Sequence, residues 1–189
     1  MTTQNAQTTP GQINGVDVDE VMSLIGRIDQ DADLGRCQFR ARNSWLRGGL
    51  NHSRIQGFHA LGDEDSSRFQ PFELEADEPA FLAGDDSAPN PVEFVLHALA
   101  GCLTTTTTYH AAVQGIVIEA IDSSLEGDLD LRGIFGLSDE VRKGFNEVRV
   151  RMRIKSSASV DELRALAMFS PVFDIVSNSL PVKLVIEKV

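Results

Sequence analysis

At 189 residues, with a formal charge of −11 and only two cysteines, the chain excludes several classes of protein at once. An acidic balance repels nucleic-acid phosphates, and two cysteines build no disulfide framework. No apolar run reaches the length of a membrane span, and the first residues lack the charged and apolar regions of a signal peptide. A cytoplasmic protein with one core is therefore expected.

Residues 1–15 are rich in Thr, Gln and Asn with almost no apolar periodicity, which reads as a disordered tail. Val18, Val21, Met22, Ile25 and Ile28 then fall at helical spacing, with Asp17 and Asp19 near the start. Residues 16–35 thus read as an appended amphipathic helix and its linker. The domain itself is expected over residues 36–189. Arg36 to Trp45 alternates: Cys37, Phe39, Ala41, Asn43 and Trp45 share one strand face, Arg36, Gln38, Arg40 and Arg42 the other. Gly48-Gly49 signals a turn, Arg54 to His59 a returning strand, and Phe72 to Glu75 a third. Asp77 to Pro89 is acidic and proline-flanked, and reads as a loop.

Asn90 is a good N-cap, and Pro91 fits the first helical position because its missing N–H would have no partner there anyway. No breaker follows until Gly115, so a helix of about 24 residues, roughly 36 Å long, is expected. Val95, Ala98, Cys102, Thr105, Tyr109, Ala112 and Ile116 follow helical spacing along one face. That places Cys102 in a packing seam beside the small residues Ala98, Gly101 and Thr105.

Ile116 to Leu131 and Val148 to Lys155 read as strands. Leu125, Leu129 and Leu131 alternate with Glu126, Asp128 and Asp130, and Val148 to Ile154 alternate with Arg149, Arg151, Arg153 and Lys155. Matching acidic and basic combs predict cross-strand neighbours on a solvated face, not a nucleic-acid patch. Val160 to Phe169 reads as a helix with Leu163, Leu166 and Ala167 inward. Ser170-Pro171 supplies the cap and first position of another, and Val182 to Ile186 a strand that closes the sheet. His52 and His59 are expected exposed. His97 and His110 lie where neither can act as base to Cys102 within the helix, and the histidines show no metal-ligand spacing.

The run Asn90-Pro91-Val92-Glu93-Phe94-Val95-Leu96-His97-Ala98-Leu99-Ala100-Gly101-Cys102 resembles the "NPxE…ALAxC" central helix of the OsmC/Ohr superfamily of osmotically induced and organic hydroperoxide resistance proteins. Ser170-Pro171-Val172 resembles its "CPV" segment, and Pro181 to Ile186 its closing strand. The resemblance covers roughly residues 36–189. It implies an α+β fold, with antiparallel sheets wrapped around long central helices in an intertwined homodimer. It also implies a redox site at the dimer interface, where a thiolate attacks a peroxide, becomes a sulfenic acid, forms a disulfide and is reduced by an external thiol.

That chemistry makes three demands. A buried thiol needs a nearby cation to ionise, a carboxylate should hold that cation, and a resolving thiol must catch the sulfenate. The resemblance places the nucleophile at Cys102. It places the cation in the N-terminal hairpin, at Arg54 (the better candidate) or Arg47, which flank Gly48-Gly49. The family's carboxylate directly follows the helix proline. Here Val92 stands there and Glu93 comes one residue later, roughly 100° around the helix. The resolving position is Ser170, whose hydroxyl can cap a helix but cannot form a disulfide.

Cys102 is therefore expected to act as a one-cysteine thiol peroxidase in oxidative stress defence. Its substrate would be an organic hydroperoxide, because Phe94, Val95, Ala98 and Leu99 are apolar, and its reductant an external dithiol. Cys37 is open to two readings, a buried structural thiol beside Phe39 and Trp45 or the resolving thiol. The alternative function is a redox-inactive dimer of the same fold that binds a small apolar ligand at its interface or serves a structural role. No cofactor, metal, nucleic acid or membrane partner is expected.

Overall fold

In the computed structural model, which describes residues 11–188, strands β1 (Gln12–Ile13) and β2 (Val16–Asp17) form a short hairpin ahead of helix α1 (Val18–Gln30). Asn14 (φ +56°) and Gly15 (φ +77°) make its turn, in the left-handed region these two residue types enter most readily. The Asn14 amide donates to the Ile116 carbonyl at 3.0 Å, and its Oδ1 accepts from the Ile118 N–H at 2.8 Å. Residues 11–15 are thus not part of a disordered tail. Turn chemistry at Asn14-Gly15, which composition alone conceals, ties them down. Residues 1–10 of that expected tail lie outside the described residues. Asp17 caps α1 by accepting from the Glu20 N–H at 3.0 Å. Met22 and Ile25 on the apolar stripe of α1 remain about half exposed.

The next segment holds strands β3 (Gln38–Phe39), β4 (Arg42–Arg47), β5 (Leu50–Ile55), β6 (Phe58–Ala60), β7 (Asp63–Asp65) and β8 (Phe72–Ala76). Each of the two long strands expected here is broken, at residues 40–41 and 56–57. The hairpin thereby passes from one antiparallel sheet, in the order β4-β5-β8, to another, in the order β3-β6-β7. A period-2 pattern runs on across such breaks, so alternation could not show them. The loop after β8 is closed by Asp77. Its carboxylate accepts from the Glu78 N–H (2.8 Å), the Ser87 N–H (3.1 Å) and the Ser87 hydroxyl (2.8 Å).

Helix α2 (Pro91–Val113) runs 23 residues, close to its expected length. It opens with a reciprocal capping box. Asn90 Oδ1 accepts from the Glu93 N–H at 2.9 Å, and Glu93 Oε2 accepts from the Asn90 N–H at 2.8 Å. Strand β9 (Ile118–Asp128), the short helix α3 (Leu131–Ile134) and strand β10 (Glu147–Ser156) follow, with β9 and β10 antiparallel. The two combs meet as expected. Arg149 stands opposite Glu126 and ion-pairs with Glu126, Asp128 and Glu147, while Lys155 pairs with Glu119. Asp130 leaves the comb to cap α3, accepting from the Arg132 N–H at 3.0 Å. Helix α4 (Val160–Ala167) buries Leu163 and Leu166, and helix α5 (Pro171–Ser177) starts at Ser170. Val182 to Ile186 form no strand; Val182 is 82% and Ile186 84% exposed. A strand needs a ladder partner for its N–H and C=O groups, and among the described residues the segment finds none.

The chain divides into two compact units, residues 11–16 with 96–188 and residues 17–95. The buried apolar side chains Val16, Leu99, Leu103, Ala111, Ala112, Leu163 and Leu166 all belong to the first unit. In the second, among the described residues, the buried residue is Asp77.

Candidate functional site

Cys102 stands near the middle of α2. The helix buries Leu99, Leu103, Thr107 and Ala111, a stripe at i, i+4 spacing. Of the face expected to form the seam, Val95, Ala98, Thr105 and Tyr109 are exposed, Cys102 and Ile116 are half-buried and Ala112 is buried. Cys102 is half-buried at the border between these faces. Apolar and small residues lie all round α2, so its pattern allows more than one seam, and tertiary packing selects one. Two hydroxyls of the threonine run bond back to the helix. Thr107 Oγ1 donates to the Leu103 carbonyl at 2.7 Å, and Thr108 Oγ1 reaches the Thr104 and Thr105 carbonyls at 3.0 and 2.9 Å. Cys102 Sγ lies 3.9 Å from Thr106 Oγ1.

Ser170, in the same unit, is fully buried and caps α5, its Oγ accepting from the Phe173 N–H at 3.2 Å. Phe169, just before it, stacks on His110 with ring centroids 4.4 Å apart. The expected cap is present, and the buried hydroxyl is committed to it.

The remaining candidates belong to the second unit. Arg54, on β5, faces Arg42 on one neighbouring strand and Glu73 on the other; its Nε lies 3.4 Å from Glu73. The like charge opposite is unfavourable, and Glu73 offsets it. Arg47 ends β4 and ion-pairs with Asp85 of the loop after β8. Each candidate arginine is thus held by a carboxylate. Neither carboxylate is Glu93, whose side chain closes the capping box. Cys37 is exposed, which corrects the reading of a buried thiol: the face it shares with Phe39 and Trp45 is uncovered in the single chain. His52 and His59 are half-buried, not exposed, lying 4.0 Å from Glu73 and 3.7 Å from Glu64. Glu73 and Asp85 carried no sequence signal. One depends on strand register, the other on loop closure.

Antiparallel strands, a long proline-initiated helix with a mid-helix cysteine, and a further antiparallel pair define a mixed helix-and-sheet fold. The chain belongs to the OsmC-like protein family, whose model matches residues 84–185, more than half of its length. It shares its fold with an OsmC-like protein from Mycoplasma pneumoniae (TM-score 0.56, 15% identity, 75% of this chain and 89% of that one). It is also similar to a Psychrobacter arcticus protein described for osmotic stress induction and detoxification response (TM-score 0.52, 16% identity, 70% and 83%). A third similar structure is an OsmC-like protein of unknown function from Vibrio cholerae (TM-score 0.52, 14% identity, 76% and 93%). No curated protein sequence matches the chain. Among the described residues, no helix is long and apolar enough to cross a membrane.

Proposed function

We propose that this OsmC-like chain is a thiol-dependent organic hydroperoxide reductase acting through Cys102 in oxidative stress defence, as a cytoplasmic homodimer. The observation that carries the reading is the contrast between two positions of one unit. Cys102 offers a half-open thiol on α2, whereas Ser170 is a buried helix cap with no thiol to resolve a sulfenate. The activating cation in this reading is Arg54 or Arg47, each already carrying a carboxylate partner.

The thiolate attacks one peroxide oxygen. An S–O bond forms, the O–O bond breaks, and the alkoxide leaves and takes up a proton as the alcohol. Cys102 is oxidised by two electrons to the sulfenic acid. One thiol of an external dithiol attacks that sulfur and expels water. Its second thiol then cleaves the mixed disulfide, returning the Cys102 thiol and a cyclic disulfide.

Three observations support the homodimer. The sheets of the second unit contain no buried apolar side chain, although a sheet must cover one face to be stable. Val95 and Tyr109 on α2 are exposed, and the apolar segment Val182 to Ile186 has no ladder partner among the described residues.

Consumption of cumene hydroperoxide with excess dithiothreitol or dihydrolipoamide tests the enzyme. Turnover lost in Cys102→Ser and kept in Cys37→Ser is the expected result. Loss in both variants would make Cys37 the resolving thiol.

One observation favours the second reading, a redox-inactive dimer that binds a small apolar ligand. A cavity of about 360 Å³ in the first unit is lined by Leu103, Met152, Ile154, Leu163, Met168 and Phe173. That is within the size range of small-molecule sites. No turnover in the wild type, with Cys102 alkylated slowly, would favour it.

A further inference from the structure

Asn14-Gly15 is the one Asn-Gly pair in the chain, and the thiol chemistry of Cys102 gives it no role. The pair forms the two-residue turn of the β1–β2 hairpin with both residues at positive φ, the turn this dipeptide favours. Val16, next along, is buried and seats the hairpin. Helix α2 ends in a Schellman motif. The Gly115 N–H (φ +74°) donates to the Ala112 carbonyl at 3.0 Å, and the Ile116 N–H donates to the Ala111 carbonyl at 2.8 Å. The Asn14 amide donates to the next carbonyl, that of Ile116, at 3.0 Å, with a longer contact to the Thr108 carbonyl at 3.4 Å. Its Oδ1 accepts from the Ile118 N–H, the first of β9, at 2.8 Å. One side chain thus uses both its donor and its acceptor to join the hairpin turn to the end of α2 and the start of β9, and all three belong to the first unit.

An Asn-Gly pair is also where a chain most readily deamidates, because glycine has no side chain to obstruct its own nitrogen. The Gly15 nitrogen attacks the side-chain carbonyl carbon of Asn14. A C–N bond forms, the bond to the amide nitrogen breaks, and ammonia leaves with the Gly15 N–H proton, closing a succinimide. Water then opens that ring at either carbonyl, giving aspartate or isoaspartate. In the closed hairpin the Asn14 side chain is held by its three partners, and it cannot swing to the Gly15 nitrogen without leaving them. Neither product can resume its place. An aspartate carboxylate has no donor for the Ile116 and Thr108 carbonyls, and its charge falls beside the negative end of the α2 dipole. Isoaspartate lengthens the backbone by a methylene and so breaks the two-residue turn. We propose that Asn14-Gly15 is a conformationally gated deamidation site: closed, the hairpin shields Asn14; opened, Asn14 is converted, and the hairpin no longer latches onto α2 and β9. The time the hairpin spends open is thereby recorded covalently, whatever the chemistry at Cys102.

The test is peptide mapping by mass spectrometry of the full-length protein, held at mildly alkaline pH in buffer and in guanidinium chloride. In guanidinium chloride Asn14 should convert ahead of Asn43 and Asn178, each of which precedes a serine. In buffer it should convert about tenfold or more slowly than in guanidinium chloride, because the hairpin must open first. Val16→Ala, which removes part of the buried anchor, should convert several-fold faster than the parent in buffer, with circular dichroism confirming that the fold is kept. In Asn14→Asp, amide hydrogen exchange over residues 12–17 should be about tenfold faster than in the parent. Equal rates of conversion in buffer and in guanidinium chloride overturn the inference, as does conversion of Asn43 or Asn178 ahead of Asn14. A folded Val16→Ala that converts no faster than the parent also overturns it. Exchange in Asn14→Asp equal to the parent would mean that the latch survives conversion, and overturns it too. The comparison of the two solvents uses the parent protein alone, so it decides the matter even where a variant fails to fold.

Discussion

At the scale of single residues, the side chains that hold the site matter as much as the thiol. Asp77 is buried, and donation from the Ser87 hydroxyl, then from the Ser87 and Glu78 backbone N–H groups, holds its carboxyl below the usual carboxylate range. A lowered folded pKa contributes stability above the unfolded value of about 3.9, and that contribution is lost as the pH falls through the folded value. Acid should therefore loosen the 77–90 loop below about pH 4. Asp77→Asn should lower Tm by several degrees already at pH 7, because an amide N–H₂ would face the Ser87 donors, and should flatten the fall in Tm between pH 5 and pH 3. Calorimetry across that range checks both; equal Tm values at pH 7 would contradict them. Asp130 is held lower still, at about 2, by Arg132, but that pair is solvated and contributes little. Cys102, Ser170 and Glu93 were legible in the sequence as positions on helices, because capping chemistry and helical spacing are local. Their partners were not. Asp85 meets Arg47 only once the loop closes, and Glu73 meets Arg54 only through the β5–β8 register.

At the scale of elements, α2 was readable from both ends. Asn90, Pro91 and Glu93 start it, and Gly115 follows its end. Asn90→Ala should cost about 1 kcal/mol. Glu93→Gln, which keeps a capping-box acceptor, should stay within about 0.5 kcal/mol of the parent. Urea unfolding distinguishes the two, and a large loss in Glu93→Gln would mean its charge does more than cap. On the buried stripe, Leu103→Ala should cost about 2–5 kcal/mol. The seam was the part misread. With apolar and small residues all round the helix, spacing cannot say which stripe another element covers. The N-terminal strands show the same limit, since alternation continues through the breaks at residues 40–41 and 56–57 where the chain changes sheets.

At the scale of the whole molecule, the second unit buries a single carboxylate and no apolar side chain among the described residues, and the segment Val182 to Ile186 has no ladder. Both features fit a protein completed by a second copy. Sedimentation should show a dimer, and Tm should rise with protein concentration, as mass action requires of coupled folding and association. Leu184→Asp with Ile186→Asp should give monomer or unfolded chain; a stable dimer of that variant would remove the C-terminal segment from the interface.

The sequence by itself determined the helix starts, the ion-paired strands β9 and β10, the thiol at Cys102 and its absence at Ser170. Each is a matter of residue type at local spacing, set by neighbours within a few positions. Tertiary structure decided which stripe of α2 is buried, where the hairpin changes sheets, and which carboxylate meets which arginine. Those outcomes depend on loop closure, strand register and mutual burial between segments far apart in the chain, and no local pattern encodes them.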